Sequence, residues 1–481
     1  MLPLLLLSIT LAYAGSVPFQ FPKVVEFSIH KTRKHGPDLV KAAGSLHLPV
    51  GSVSLDNEQY YYQIQLEIGN PPQKADFTID TGSSDLWVMS DKNPYCTDDP
   101  SNITGINCTD SVFHPELSHT YERLTTPFNI VYGDRTMANG TLGRDTLRLG
   151  DGLTVSNATF ALADVVNSST CVFGVGFIGN EANARVYNNG SGVFPTYFNV
   201  PTLMKEQELI STNAYSLWLN DVEAESGSIL FGGIDRAKYE GNLWVLPVYN
   251  NYHKYTDRPI QTRVMLNSVT ADGLPLADFQ IPVLLDSGTS FAYLPPPIVH
   301  AMGSALGFIY DELLGYYFGS FEQALSNVQN FYLSFSGAII EIPVRNLLIS
   351  ITEEDSETPI KVNDQAQSIL AIGLAEDDYM YILGDVFLRS IYTVFDIDHY
   401  EIAIANAKMN ATDSDIVTIG ASIPGAIQAP SYTRTRASNT SIDLHSFSPA
   451  TPVPEALTVS FGNFTAVATP SATTTLELAF P

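Results

Sequence analysis

Residues 77–90 have the sequence FTIDTGSSDLWVMS. An apolar, strand-like run ends at Asp80, a turn rich in Gly and Ser follows, and Leu-Trp-Val then returns to apolar surroundings. Asp80 is therefore expected to be buried, and a buried charge is costly unless another group shares or solvates it. This stretch raises the question of which group lies opposite Asp80.

A second stretch repeats the pattern. VLLDSGTSFAYLP, residues 283–295, places Asp286 after three apolar residues and before a Ser-Gly-Thr-Ser turn. A further repeat follows each aspartate at a similar distance, as Val172-Phe173-Gly174 and Ile382-Leu383-Gly384. The chain is therefore predicted to contain two diverged copies of one unit.

The surrounding sequence predicts strands. YYYQIQLEIG (60–69) alternates apolar and polar residues before a turn at Asn70-Pro71-Pro72. Short apolar runs continue to about residue 407, and the main helix candidate is VPTLMKEQELI (200–210).

These motifs resemble those of the pepsin-like aspartic proteases, and within them the secreted fungal candidapepsin and yapsin types. The resemblance spans about residues 56–408 and includes the flap-like IVYGDRTMANGTLGRDTL (130–147), SILFGGIDRAKYEGNLWVLPV (228–248) and YILGDVFLRSIYTVFDIDHYEIAIA (381–405). It implies an all-β, bilobal pepsin-like fold with an active-site cleft between two related β-lobes. It also implies an aspartic-type endopeptidase that acts on peptides or proteins without a metal or cofactor.

The chemistry independently favours a pair of aspartates. Peptide hydrolysis without a metal or nucleophilic side chain needs an activated water. Two carboxylates about 3 Å apart cannot both ionise easily, so they share one proton. Asp80 is therefore predicted to lie opposite Asp286, with one acting as general base and the other as general acid.

Support for the pair is expected from Thr81, Gly82, Ser83, Ser287, Gly288 and Thr289. The two glycines let the loops approach each other and the water. The resemblance implies that Thr81 and Ser287 cross-brace the loops, while Ser83 and Thr289 hydrogen-bond the carboxylates.

The resemblance also assigns a flap. It implies that Tyr132 closes over the substrate, that Gly133 and Asp134 bond the substrate backbone, and that Trp87 bonds the flap tyrosine. Cys96 and Cys108 occupy the place of a family disulfide, whereas Cys171 is interpreted as a buried structural thiol. The second disulfide that is common in the family is missing, because no cysteine follows Cys171.

The chain is divided by composition and motif into five segments: signal peptide 1–14, basic pro-segment 15–50, N-terminal β-lobe with flap 51–236, C-terminal β-lobe 237–408, and a disordered Ser/Thr/Pro-rich tail 409–481. The tail is interpreted as free or wall-associated rather than lipid-anchored. Secretion is supported by N-glycosylation sequons at Asn102, Asn107, Asn139, Asn157, Asn167, Asn189, Asn410, Asn439 and Asn463.

The formal net charge of −27 argues against a nucleic-acid partner. No membrane span is predicted, and a monomer is expected.

A basic residue between Lys23 and Lys41 is predicted to pair with cleft carboxylates until acid releases it. Two specificities stay open: processing next to Lys or Arg, and broad cleavage at apolar residues. The alternative function is a non-catalytic cell-wall glycoprotein that retains the fold.

Overall fold

A computed structural model describes residues 24–33, 45–48, 51–54, 60–96, 106, 108, 111–149, 153–184, 196–254, 256–312, 315–351, 359, 361–362, 364–375, 377, 380–433, 442–444, 458–461 and 464–467. Several predictions concern residues outside these ranges: the signal peptide (1–14), the basic residues Lys23, Lys34 and Lys41 of the pro-segment, and the sequons at Asn102, Asn107, Asn189, Asn439 and Asn463.

The strands up to residue 236 are β1 (Val25–Arg33), β2 (Ser45–Leu48), β3 (Gly51–Ser54), β4 (Tyr60–Ile68), β5 (Gln73–Asp80), β6 (Leu86–Ser90), β7 (Val112–Phe113), β8 (Glu122–Val131), β9 (Met137–Leu149), β10 (Leu153–Val166), β11 (Cys171–Gly174), β12 (Ala214–Trp218), β13 (Ser226–Phe231) and β14 (Gly233–Asp235).

The later strands are β15 (Tyr239–Pro247), β16 (Arg263–Ala271), β17 (Leu274–Leu285), β18 (Ala292–Leu294), β19 (Ile309–Asp311), β20 (Tyr316–Ser320), β21 (Asn330–Phe335), β22 (Ala338–Pro343), β23 (Leu348–Ser350), β24 (Lys361–Val362), β25 (Gln365–Leu370), β26 (Ile372–Leu374), β27 (Ile382–Leu383), β28 (Ile391–Asp396), β29 (Glu401–Ala407), β30 (Ile416–Thr418), β31 (Ile427–Gln428), β32 (Ile442–Leu444), β33 (Thr458–Phe461) and β34 (Phe464–Val467).

The α-helices are short: α1 (Val200–Glu206), α2 (Pro296–Ala305), α3 (Phe321–Asn327) and α4 (Asp385–Leu388). The predicted helix at 200–210 is confirmed in its first two turns. Asn199 caps it by accepting a hydrogen bond from the Thr202 N–H. It ends before the predicted limit because Glu208 adopts a left-handed φ of 59°. Among the described residues, none of the helices has both the length and the apolar character needed to cross a bilayer.

Strand β4 shows why the alternating segments form sheets. Tyr62, Ile64 and Leu66 are buried, while the intervening Gln63 and Gln65 face outward. β4 belongs to a 15-stranded sheet with the order β31-β15-β29-β28-β12-β13-β1-β4-β5-β11-β6-β10-β9-β8, to which β7 adds beside β6. β1, which lies in the predicted pro-segment, occupies the position between β13 and β4 and pairs antiparallel with both.

A separate 8-stranded sheet holds the second copy of the unit, with the order β22-β21-β16-β17-β27-β18-β26 and with β32 beside β17. The repeat seen in the sequence has a structural meaning. β11 runs parallel to β5, with Gly174 opposite Asp80, and β27 runs parallel to β17, with Leu383 opposite Leu285. Each aspartate strand is therefore flanked by its own apolar-apolar-Gly strand, and the all-β prediction of two related lobes is confirmed.

The ordered body extends beyond the predicted boundary at residue 408. β30 pairs with β14, and β31 pairs with β15. Ile419 and Ile423 are buried in an apolar cluster that also contains Trp218. The expectation of disorder from residue 409 was therefore wrong for 409–433, because apolar side chains in this segment fill the cluster.

The predicted disulfide forms between Cys96 and Cys108, whose Cα atoms are 5.5 Å apart. Cys171 is a buried free cysteine. Its thiol donates a hydrogen bond to the Ser111 carbonyl (3.2 Å) and accepts one from the Met89 N–H (3.4 Å). Burial raises the pKa of this thiol to about 12. Cys171 thus has the environment of a buried structural thiol.

Candidate active site

Asp80 is the last residue of β5 and is held by the turn that follows it. Its Oδ1 accepts hydrogen bonds from the N–H groups of Gly82 (2.8 Å) and Ser83 (3.1 Å). The Ser83 hydroxyl donates to Oδ2. The residue is 5% exposed, so its carboxyl group is almost completely removed from solvent.

Asp286 follows β17 and has nearly the same surroundings. Its Oδ1 accepts a hydrogen bond from the Gly288 N–H (2.8 Å), and its Oδ2 accepts one from the Thr289 hydroxyl (2.8 Å). It is 8% exposed. The two copies of the motif therefore build two matching carboxylate environments, as the doubled sequence indicated.

The two loops meet directly at their glycines. A Cβ atom added at Gly82 would lie 2.6 Å from Asp286 Cγ, and one added at Gly288 would lie 2.6 Å from Asp80 Oδ1. Real Cβ atoms do not approach other atoms this closely. Each glycine therefore makes room for the carboxylate of the opposite loop.

The two carboxyl groups interact strongly. Burial, followed by the negative charge of Asp286, raises the pKa of Asp80 well above its usual range, although the hydrogen bond from Ser83 opposes this shift. A hydrogen bond between the two carboxyl side chains adds to the increase. Such a bond requires that one of the two carboxyl groups carry a proton.

Hydroxyl groups brace the loops against each other. The Thr81 hydroxyl donates to the Leu285 carbonyl (2.8 Å), and the Ser287 hydroxyl donates to the Ile79 carbonyl (2.7 Å). The Ser287 N–H donates to the Thr81 hydroxyl (3.0 Å). Thr81 and Ser287 are each 1% exposed, so these bonds fix the loops in a dry environment.

Thr262 is a brace that sequence reasoning missed. It precedes β16 and is 1% exposed. Its hydroxyl lies within hydrogen-bonding distance of the carbonyls of Thr81 (3.0 Å) and Leu285 (3.3 Å), one from each lobe. No motif marks this threonine, and its partners are far away in the sequence.

The flap is the hairpin of β8 and β9, with Tyr132 at the start of its turn. The Trp87 indole N–H donates to the Tyr132 hydroxyl at 2.8 Å. Burial, followed by the charge of Asp80, raises the pKa of Tyr132 well above its usual range. The flap therefore adopts the Trp87–Tyr132 contact that the resemblance implied.

The flap tip reaches toward the second lobe. A Cβ at Gly133 would lie 3.7 Å from the Met380 methyl group, a neighbour that sequence reasoning did not identify. Asp134 Oδ1 accepts hydrogen bonds from the Thr136 N–H (2.8 Å) and hydroxyl (2.7 Å). Asp134 thus stabilises the turn, and its role toward a substrate backbone stays a prediction.

A second layer of polar groups lies behind the Asp80 loop. Asn180 Nδ2 donates to the Gly82 carbonyl (3.0 Å). Tyr197 donates through its hydroxyl to Asp85 (2.7 Å) and through its N–H to Glu181 (3.1 Å). Burial, reinforced by the Asp85 charge, raises the pKa of Glu181 to about 9. No motif in the sequence pointed to this layer.

A different group of potential metal ligands lies on the surface: the ligand atoms of Asp91, His114 and Glu116 all fall within 4.8 Å of one another. The two carboxylates are exposed, and exposed acidic groups are common without a bound ion. These residues belong to neither aspartate loop.

Comparisons with known proteins agree with this architecture. A model of the eukaryotic aspartyl protease family matches residues 59–407. Aspartic proteinase MKC7 of Saccharomyces cerevisiae is 32% identical over 440 residues, which cover 80% of this chain and 72% of that protein. The probable aspartic-type endopeptidase opsB of Aspergillus fumigatus is 36% identical over 387 residues, covering 78% and 75% of the two chains.

Secreted aspartic protease 3 of Candida albicans is 34% identical over 371 residues, covering 76% of this chain and 84% of that protein. A solved structure, the aspartic proteinase from Irpex lacteus, has a TM-score of 0.57 and 18% identity, covering 81% of this chain and all of that one (100%). That structural likeness supports the fold, while the relatives support the activity. The chain therefore belongs to the eukaryotic aspartyl protease family and is a pepsin-like aspartic endopeptidase.

Proposed function

We propose that the chain is a secreted endopeptidase that hydrolyses peptide bonds in acid with a water activated by Asp80 and Asp286. The mutual approach of the two carboxylates at Gly82 and Gly288 is the observation that carries this proposal. The raised pKa of Asp80 supports it, because it favours keeping a proton at a site where the reaction needs an acid and a base together.

The proposed reaction uses that shared proton. The ionised carboxylate takes a proton from water as the water oxygen attacks the peptide carbonyl carbon. The protonated carboxyl group donates its proton to the carbonyl oxygen, which gives a neutral tetrahedral intermediate. The carboxyl group that took the proton from water then gives a proton to the nitrogen, and the other, now ionised, carboxylate takes one from a hydroxyl group of the intermediate as the C–N bond breaks. The flap would cover the bound peptide, with Tyr132 fixed by Trp87.

One experiment tests this function. Purified protein is incubated with a diverse peptide library at about pH 4 and about pH 6, with and without the aspartic protease inhibitor pepstatin, and cuts are mapped by mass spectrometry. Asp80→Asn and Asp286→Asn should each lower kcat/KM by about 10³-fold or more. Asp76→Asn, on the same strand as Asp80, serves as the control. Pepstatin-insensitive cuts, or full activity of Asp80→Asn, would refute the mechanism.

The same map tests specificity. Cuts beside Lys or Arg would favour a processing enzyme whose acidic surface attracts cationic substrates, and cuts beside apolar residues would favour broad digestion. The strongly negative chain supports the first of these hypotheses.

We further propose that residues 15–50 are a pro-segment and that the enzyme is a monomer. β1 supports the pro-segment, since it occupies a position in the large sheet between β4 and β13 that would become empty if residues 15–50 were removed. The Lys31 ammonium donates to the Val222 carbonyl, and burial lowers its pKa to about 8. The monomer is supported because one chain supplies both aspartates and the flap. N-terminal sequencing before and after acid incubation tests the pro-segment, and no change at the terminus despite full activity would contradict it.

A further inference from the structure

Asn167 directly follows β10 and contacts the flap just beyond its tip. Its Oδ1 accepts a hydrogen bond from the Met137 N–H at 2.6 Å. Its Nδ2 donates to the Arg135 carbonyl at 3.3 Å, and its own N–H donates to the Met137 carbonyl at 3.4 Å. Three hydrogen bonds from one residue therefore hold the end of the flap turn and the start of β9.

The contacted segment is where the flap changes direction. Arg135 has a left-handed φ of 71°, and its N–H donates to the Tyr132 carbonyl. The Tyr132 N–H in turn donates to the Thr136 carbonyl. Asn167 thus bonds to the backbone on both sides of Thr136, while Trp87 holds the Tyr132 side chain. These two attachments hold opposite ends of the same turn.

Asn167 is also the first residue of the sequon Asn167-Ser168-Ser169. Its Nδ2 is the atom to which an N-linked sugar would be attached. In the folded protein this atom points at the flap backbone, and a sugar there would lie against the Arg135 turn. A sugar replaces one of the two Nδ2 hydrogens and leaves the other, so the two roles compete through crowding at this turn.

We propose that Asn167 is a flap-positioning residue and not a glycan acceptor. The inference rests on the proposed role of the flap in covering the substrate. By holding the turn in the free enzyme, Asn167 removes part of the ordering cost that substrate binding would otherwise bear. The benefit is then realised on binding and not in the chemical step.

The test compares Asn167→Ala with Ser169→Ala in protein secreted from a eukaryotic host. Asn167→Ala removes both the side-chain clamp and the sequon, whereas Ser169→Ala removes the sequon and keeps the clamp. Active enzyme is counted by pepstatin titration, so that loss of folded protein does not enter the rates. Asn167→Ala should raise KM and weaken pepstatin binding by about tenfold with kcat within about twofold, because two hydrogen bonds are lost. Ser169→Ala should have the same KM, kcat and pepstatin affinity as the enzyme with its original sequence.

Asn167→Asp adds a reversible version of the same test. A protonated aspartic acid can accept from Met137 and donate to the Arg135 carbonyl, as asparagine does, but the ionised form cannot donate. KM of Asn167→Asp relative to Asn167→Ala should therefore rise between about pH 3 and pH 6. The charged neighbours Asp134, Arg135 and the Arg123–Asp164 pair are present in both variants, so in this ratio they act only through the introduced carboxyl group, whose pKa they set.

Glycopeptide mapping completes the experiment, with Asn167 expected to be unmodified in the active enzyme. High sugar occupancy at Asn167 in fully active protein would overturn the proposal. An unchanged KM in Asn167→Ala would overturn it too. If that variant yields less active enzyme by pepstatin titration but keeps the original KM, Asn167 contributes to folding and not to the position of the flap. If the enzyme with its original sequence makes no pepstatin-sensitive cuts, the proposed function itself fails. That result is distinguishable from a failure of the Asn167 proposal, which requires an active parent enzyme.

Discussion

Replacing Glu181 with Gln should flatten the pH dependence of stability. Glu181 is fully buried, and one of its carboxyl oxygens, Oε1, has no hydrogen-bond partner among the residues that the structure describes. Burial and the neighbouring Asp85 charge raise its pKa from 4.5 to about 9. In the folded protein Glu181 is therefore protonated at pH 7, whereas in the unfolded chain it is ionised.

The sign and size of the effect follow from this difference. Below about pH 4.5 both states hold the proton, and Glu181 makes no pH-dependent contribution. Between pH 4.5 and pH 9 the unfolded state releases the proton, and the free energy of unfolding falls by about 1.4 kcal/mol per pH unit. From pH 4 to pH 6.5 the loss is on the order of 3 kcal/mol, and Gln, which carries no titrating proton, should not show it.

Urea denaturation at pH 4 and pH 6.5 measures the difference, with Asp286→Asn as the background for every protein to prevent self-digestion. Relative to its parent, Glu181→Gln should become more stable by on the order of 3 kcal/mol between the two pH values. Glu206→Gln, an exposed change on α1, controls for the loss of an ordinary carboxylate. Parallel pH curves for the parent and Glu181→Gln would refute the reasoning, because Asp80 and every other titrating group are common to both.

Three further changes test the site and its support. Gly82→Ala forces a Cβ to within 2.6 Å of Asp286, so kcat should fall by about 100-fold. Gly420→Ala, whose Cβ would meet no described residue within 4 Å, should leave kcat unchanged, and equal kcat for the two variants would contradict the close-approach argument. Thr262→Val should lower the free energy of unfolding by about 1–3 kcal/mol relative to Thr262→Ser, which keeps the hydroxyl, and equal urea midpoints would show that this brace contributes nothing. A chain that ends after residue 408 should have a lower free energy of unfolding than one that ends after residue 433, by about 2 kcal/mol for each of the two buried isoleucines, Ile419 and Ile423. Equal melting temperatures for the two chains would contradict the packing of this segment.

The sequence predicted the roles of residues that belong to a recognisable local motif. Asp80 and Asp286 are marked by a motif that occurs twice, and a second repeat marked the segments of β11 and β27, whose pairing with β5 and β17 only the structure shows. The helix at 200–206 and the alternation in β4 likewise depend on neighbours in the chain. Each of these patterns can be recognised in one sequence because the residues that form it are only a few positions apart.

Thr262, Glu181 and Asn167 could not be predicted for the opposite reason. Thr262 bonds to a carbonyl 181 residues away, and Asn167 bonds to a flap residue 30 positions earlier. Their side chains are ordinary in type, and only the folded backbone brings their partners within reach. A threonine, a glutamate and a sequon asparagine carry no signal that separates these roles from a solvent-exposed one.

The segment 409–433 shows how an average over composition conceals a structural role. Its Ser, Thr, Ala and Pro content is typical of disorder, and the family match ends at residue 407. Yet the cluster around Trp218 and Leu243 is completed by Ile419 and Ile423. β31 also pairs with β15, which would otherwise be the edge of the large sheet. An apolar face and an unpaired edge both require cover, and a few apolar residues in a polar segment are sufficient to provide it. The boundary of this fold therefore lies where those two requirements are met, beyond the point at which the composition changes.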